Sequence, residues 1–156
     1  MNAIELLKQD HQVVKDLLAE LSGTSERAVK TRENLLQRIE LELKVHTSIE
    51  EQIFYPAFRE AGSKSETKLY FEALEEHRAV EALVLPDLND TAADSVRFAA
   101  RVKVLQDLLE HHIQEEEEQM FEQALKLFSS AELSLLGAQM KELKGTLKST
   151  YGAWAA

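Results

Sequence analysis

The sequence predicts an all-α protein: an up-down-up-down four-helix bundle with an additional C-terminal helix. Three observations lead there. Apolar residues recur at steps of three and four along successive stretches, as helices burying one face require. Five Gly and two Pro in 156 residues are too few for a turn-rich β fold. The loops between the stretches are short, so consecutive helices run antiparallel. The whole chain, 1–156, reads as one domain. Its bundle covers about 2–128 and its last helix about 130–148.

The first helix spans about 2–22, with Ile4, Leu7, His11, Val14, Leu18 and Leu21 as its stripe. Ser22-Gly23-Thr24-Ser25 stops it and offers an N-cap for the next helix. The second helix spans about 25–61, and its stripe is Leu36, Ile39, Leu43, His46, Glu50, Ile53 and Ala57. Pro56 is expected to kink or end it, because proline has no amide proton and its ring crowds the carbonyl of Gln52. The third helix, about 66–88, carries Tyr70, Ala73, His77, Val80 and Val84, matching the first position for position. The fourth, about 94–128, carries Phe98, Val102, Leu105, Leu109, His112 and Glu116, repeating the second. In the fifth, Leu133, Leu136, Met140, Leu143 and Leu147 form an amphipathic face that either covers the bundle or pairs with a second copy. The tail from Tyr151 through Trp154 has no readable role.

Polar residues interrupt these stripes in a pattern. His46 and Glu50 lie one helical turn apart, as do His112 and Glu116, and the two pairs are 66 residues apart. Asp10-His11 and Glu76-His77 share that offset. Four helices side by side therefore point His11, His46, Glu50, His77, His112 and Glu116 inward. A lone His in an apolar stripe is more often a hydrogen-bonded core residue, and a lone His-x-x-x-Glu pair is more often a surface interaction. Six such residues in register, related by one repeat, call for cations. An unpaired buried carboxylate costs several kcal/mol, on the scale of a domain's whole stability. One ion would take His11 and His46, the other His77 and His112, with Glu50 and Glu116 bridging them. Imidazole with carboxylate and no thiolate suits iron or manganese, with zinc as an alternative.

These residues resemble the hemerythrin-like, or HHE cation-binding, family. The match covers about residues 4–125. It includes Asp10-His11, His46-x-x-x-Glu50-Glu51 with Phe54-Tyr55-Pro56, Glu76-His77, and His112-Ile-Gln-Glu-Glu116-Glu117. The resemblance implies a non-haem, oxo- or hydroxo-bridged pair of iron ions in a four-helix bundle. It also implies a small diatomic ligand or peroxide as partner, in an oxygen-binding or stress-related role. Oxygen-carrying hemerythrins have a further His one turn before the position of His77, where this chain has Ala73. Tyr70, His111 or water could fill that place. Core packing is the preferred explanation of Tyr70, and an outward position or one behind the ligands is that of His111. Glu51 and Glu117 either orient the ligands or face water; Asp10 and Glu76 fit helix turns or solvent.

Composition excludes several classes. A net charge of −10 argues against a nucleic-acid partner, which needs basic clusters. No stretch is apolar for long enough to span a membrane, and no signal peptide is visible. The absence of Cys removes disulfides and thiol chemistry and fits a cytoplasmic location. It also counts against iron storage or delivery, an alternative that is kept, since family members in that role can carry a cysteine-bearing N-terminal segment. The functions left are binding or sensing of dioxygen, nitric oxide or peroxide, an oxidoreductase removing hydrogen peroxide or nitric oxide, iron storage, and a metal-free interaction bundle.

Overall fold

The computed structural model describes residues 1–155, the last three as backbone alone, so the side chain of Trp154 lies outside the described residues. Five helices and no strand occur among them. Helix α1 is Ala3–Ser22. Its start is set by a capping box: Asn2 Oδ1 accepts the Glu5 N–H and Glu5 Oε2 accepts the Asn2 N–H, both at 2.9 Å. Helix α2 opens as Val29–Ile49, with no side-chain cap. Ser25 is therefore not its N-cap; instead its carbonyl accepts the Ala28 N–H in a turn. Helix α3 opens as Lys64–Ala79, and α4 opens as Val96–Glu115 behind the Ser95 cap. Helix α5 is Ser130–Ala155, longer than its periodicity indicates because it runs on through the tail.

Neither proline ends its helix. Helix α2 passes through a π-helical turn at Glu50–Phe54 and continues as Tyr55–Ala61. Helix α3 does the same at Val80–Val84 and continues as Leu85–Asn89. The widened turn lets the Tyr55 backbone N–H donate to the carbonyl of Glu50, and the helix continues past the ring of Pro56. Helix α4 has a third π turn at Glu116–Met120 before Phe121–Leu127, a segment without proline. Each π turn adds a residue and rotates the helix C-terminal to it. Phe54, Tyr55 and Phe58 are therefore buried where a regular period favours Ile53 and Ala57, which are only half-buried. Leu85 and Leu88 replace Val84 on α3 in the same way.

The bundle has two apolar layers. One runs from Leu17, Leu18 and Leu21 to Ile39, Phe98 and Leu105. The other contains Leu7, Phe54, Phe58, Phe121 and Met140. Each fully buried Phe contributes about 1.5–3 kcal/mol. Along α1 the chain goes from Leu7 in one layer, through His11, to Val14 in the other. The polar stripe thus lies between two dry layers. Helix α5 lays its stripe over α1 and α2: Leu133 and Met140 are buried, and Leu136, Leu143 and Leu147 pack against the second layer. Gly137 makes that approach close, since a Cβ there would stand 2.7 Å from the Met1 carbonyl oxygen.

Candidate metal centre

All six predicted residues meet at one place. His11, His46, Glu50, His77, His112 and Glu116 are each at most 6% exposed. The two carboxylates sort their oxygens between two imidazole pairs. Glu50 Oε1 is 2.9 Å from His46 Nε2 and 4.0 Å from His11 Nε2, and Glu116 Oε1 is 3.1 Å from His11 Nε2. On the other side, Glu50 Oε2 is 3.1 Å from His77 Nε2 and Glu116 Oε2 is 3.4 Å from His112 Nε2. His11, His46, Glu50 and Glu116 form one group whose donor atoms lie within 4.8 Å of one another, and Glu50, His77 and His112 form another.

The donor set fits cations better than it fits hydrogen bonds. His46 Nε2 and Glu50 Oε1 are 2.9 Å apart, yet neither atom has a partner in hydrogen-bonding geometry. Donors bound at right angles to one ion, with bonds of roughly 2.0–2.2 Å, stand about 3 Å apart. His77 Nε2 and His112 Nε2 are 3.2 Å apart. Tyr55 has one proton, yet its hydroxyl lies 3.1 Å from Glu50 Oε2 and closer still to Glu116 Oε2. Lone pairs outnumber protons, which is the condition a metal pair relieves.

Without a cation, protons do the neutralising. Burial pulls the His46 imidazole down, but the Glu50 charge, the hydrogen bond to Asp10 and the Asp10 charge outweigh it and push it up to about 10. Burial likewise opposes, without overcoming, the carboxylates that raise His112 and His77. Glu116 is driven well below the usual carboxylate range: burial raises it, but hydrogen bonds from His11 and His112 prevail. Burial and the charges of Glu116 and Glu50 hold the Tyr55 phenol far above its ordinary value, so it keeps its proton.

A second ring of carboxylates holds the imidazoles from behind. Glu117 meets His11 Nδ1 at 2.8 Å, Asp10 meets His46 Nδ1 at 3.2 Å, and Glu76 meets His112 Nδ1 at 3.0 Å. Glu51 approaches His77 Nδ1 at 3.5 Å, an ion-pair distance rather than a hydrogen bond. Asp10 and Glu76 are therefore part of the site, and Glu51 and Glu117 face imidazoles. Each partner His lies on a different helix, so sequence spacing alone does not reveal the pairing. Lys144 of α5 adds an ammonium to Asp10. Burial raises the Asp10 carboxyl, but His46 and Lys144 outweigh that and lower it.

The place left by Ala73 is approached neither by Tyr70 nor by His111. Tyr70 packs its edge on Tyr55, and the His111 side chain is 62% exposed beside Glu115. The aromatic side chain that touches His77 is Tyr55, stacked on the ring with its hydroxyl 3.2 Å from His77 Nε2. Periodicity misses it because five residues after Glu50 is off-face in a regular helix, and the π turn restores it. Pro56 is compatible with the widened turn but does not mark it, since the turn after Glu116 forms with no proline following it. In the other half of the repeat, Phe121 takes the equivalent place, stacked on His11 and without a hydroxyl.

The family profile of the hemerythrin HHE cation binding domain matches residues 2–124. The crystal structure of an HHE domain-containing protein from Mycobacterium kansasii, a Rv2633c homolog, superposes with a TM-score of 0.78. It is 30% identical and covers 94% of this chain and 89% of that one. The Mycobacterium tuberculosis H37Rv protein Rv2633c, named only as uncharacterized, is 30% identical over 151 residues, 94% of this chain and 89% of that protein. A protein of Nostoc sp. PCC 7120 named DNA nickase is 26% identical over 156 residues, 99% of this chain. This chain spans 42% of that protein's length. With the bundle, the repeat and the buried His and Glu residues in agreement, the chain belongs to the hemerythrin HHE cation binding domain family.

Proposed function

We propose that this is a non-haem di-iron protein that binds or senses a small oxidant: dioxygen, nitric oxide or peroxide. His11 and His46 would hold one iron and His77 and His112 the other, with Glu50 and Glu116 giving each ion one oxygen. The observation that carries the reading is the sorting of the Glu50 and Glu116 oxygens toward opposite imidazole pairs. The donor chemistry favours iron or manganese over zinc, and the family resemblance favours iron. When bound, an iron pair supplies up to two electrons to an oxidant and positions at which it can bind.

The chain's own residues do the rest. The outer carboxylates fix the imidazole rings with Nε2 inward and raise their basicity. The two apolar layers flanking the site lower the dielectric around it, which strengthens each charge interaction inside. Tyr55 holds a proton beside Glu50 and Glu116.

That phenol favours a second reading, a di-iron oxidoreductase that removes hydrogen peroxide or nitric oxide. A neutral donor next to the site is what reduction of an oxidant consumes. Nucleic acid is not a partner in this reading: a net charge of −10 disfavours binding to phosphates, and this chain spans 42% of the protein named DNA nickase. The experiment is anaerobic reduction of the iron protein, then addition of each oxidant in turn while the optical spectrum is monitored. Binding or sensing predicts a saturable spectral change with at least one oxidant. Sustained consumption well above that of free iron selects the oxidoreductase, and spectra that respond to none reject both.

A further inference from the structure

A cavity of about 250 Å³ runs inward between α3 and α4 and is lined by His77 and His112. These two buried imidazoles lie at its inner part, while Ala79 and Leu108, both exposed, mark its mouth. Its wall is apolar, formed by Leu43, Val80 and Leu109. The repeat explains why it is open. On the other half, α5 covers the corresponding face: Lys144 sits on Asp10, the counterpart of Glu76, and Lys148 pairs with Glu42, the counterpart of Leu108. Half-buried Val13 stands there where Ala79 stands here. His77, one of the two imidazoles lining the cavity, is also the one without a hydrogen bond at Nδ1.

The volume is large for the oxidants named above. One water occupies about 30 Å³ of liquid, and an apolar cavity of about 150 Å³ holds benzene. A space of about 250 Å³ suits a ring with a short branch, roughly ten heavy atoms. An apolar wall also disfavours hydrogen peroxide, which would lose its hydrogen bonds to water there.

We propose that this cavity binds an organic hydroperoxide of about ten heavy atoms, its apolar body against Leu43, Val80 and Leu109 and its O–O head at His77 and His112. The proposal rests on the iron-pair reading and names its substrate class. Thr47 donates its proton to Glu81 at 2.8 Å, which leaves its oxygen free to accept the hydroperoxide O–H. Reduction breaks the O–O bond, takes one electron from each ferrous ion of the pair and two protons, and gives the alcohol and water.

Calorimetric titration of the iron-loaded protein with cumyl alcohol, the product of cumene hydroperoxide, reads binding without turnover. The expected result is saturable binding at one site. It should weaken at least about tenfold in Ala79→Trp and in Leu108→Trp, which fill the mouth from exposed positions and keep iron content and melting temperature. The reduced iron protein is then mixed with cumene hydroperoxide and, separately, with hydrogen peroxide. The ratio of the two oxidation rates should fall at least about tenfold in both variants. Iron that hydrogen peroxide oxidises, with no cumyl alcohol bound and an unchanged ratio in the variants, would overturn the cavity assignment and leave the iron-pair reading standing. Cumyl alcohol bound to protein whose iron responds to no peroxide would overturn the iron-pair reading, and the hydroperoxide assignment with it.

Discussion

Tyr55 shows most clearly what one side chain adds to this site. Its phenol touches Glu50, Glu116 and His77 at once, and its repeat partner Phe121 proves that a plain ring fits the same position. Tyr55→Phe should therefore keep its metal and fold while losing a proton donor. Oxidation of the reduced iron protein by peroxide is expected to slow about a hundredfold in stopped-flow measurements, and an unchanged rate would remove the phenol from the chemistry. The outer carboxylates give a second test. Asp10→Asn and Glu76→Gln should each weaken metal binding about 10–100-fold in competition with a chelator, since both replace the charged acceptor behind an imidazole with a neutral amide. At this scale the six inward residues were legible because each sits in an apolar stripe and recurs after 66 positions. The roles of Asp10, Glu51, Glu76 and Glu117 were not, because their partners are brought near only by the crossing of helices.

Helices of this bundle are regular up to the polar layer and widen just beyond it. The three π turns carry Phe54, Tyr55, Leu85, Met120 and Phe121 back onto the core face. Regular periodicity therefore reads the helices correctly up to His46–Glu50 and His112–Glu116 and misplaces the residues beyond them. The α4 turn forms with no proline after it, so proline is not the cause. Pro56→Ala should keep metal content and circular dichroism. Deletion of Gln52 should collapse the turn to a regular one, rotate Tyr55 and Phe58 about 100° off the core, and abolish cooperative melting. Helix α5 depends on Gly137, where a Cβ has no room against the Asn2 and Met1 backbone. Gly137→Ala should cost about 1–3 kcal/mol in denaturant melts by pushing α5 away, and with it Lys144 from Asp10. A melt equal to wild type would mean that α5 sits less tightly than the geometry requires.

The molecule as a whole is one half repeated and then made unequal. Helices α1 and α2 carry the same polar ladder as α3 and α4, but only the first pair has α5 and Lys144 over it. The apolar stripe of α5 is spent on its own bundle, so any pairing of two chains through it would use an outer face that carries exposed Leu135. No helix among the described residues is long and apolar enough to cross a membrane. Three deeply buried carboxylates, Asp10, Glu50 and Glu116, make the fold dependent on what neutralises them. Stripping metal with a chelator should lower the melting temperature by at least about 5 °C, as expected for ligand at about a hundredfold its Kd on a chain of this length. Adding metal back should restore it.

The central proposal is that one six-residue site holds a pair of iron ions. The most direct measurement is metal content together with the optical spectrum of purified protein, for wild type and for His46→Ala with His112→Ala. The account predicts about two irons per chain, with near-ultraviolet bands that change when the reduced protein meets air or peroxide, and loss of both in the double variant. Protein without iron, or filled with zinc and optically silent, or a double variant with unchanged metal content, would contradict it.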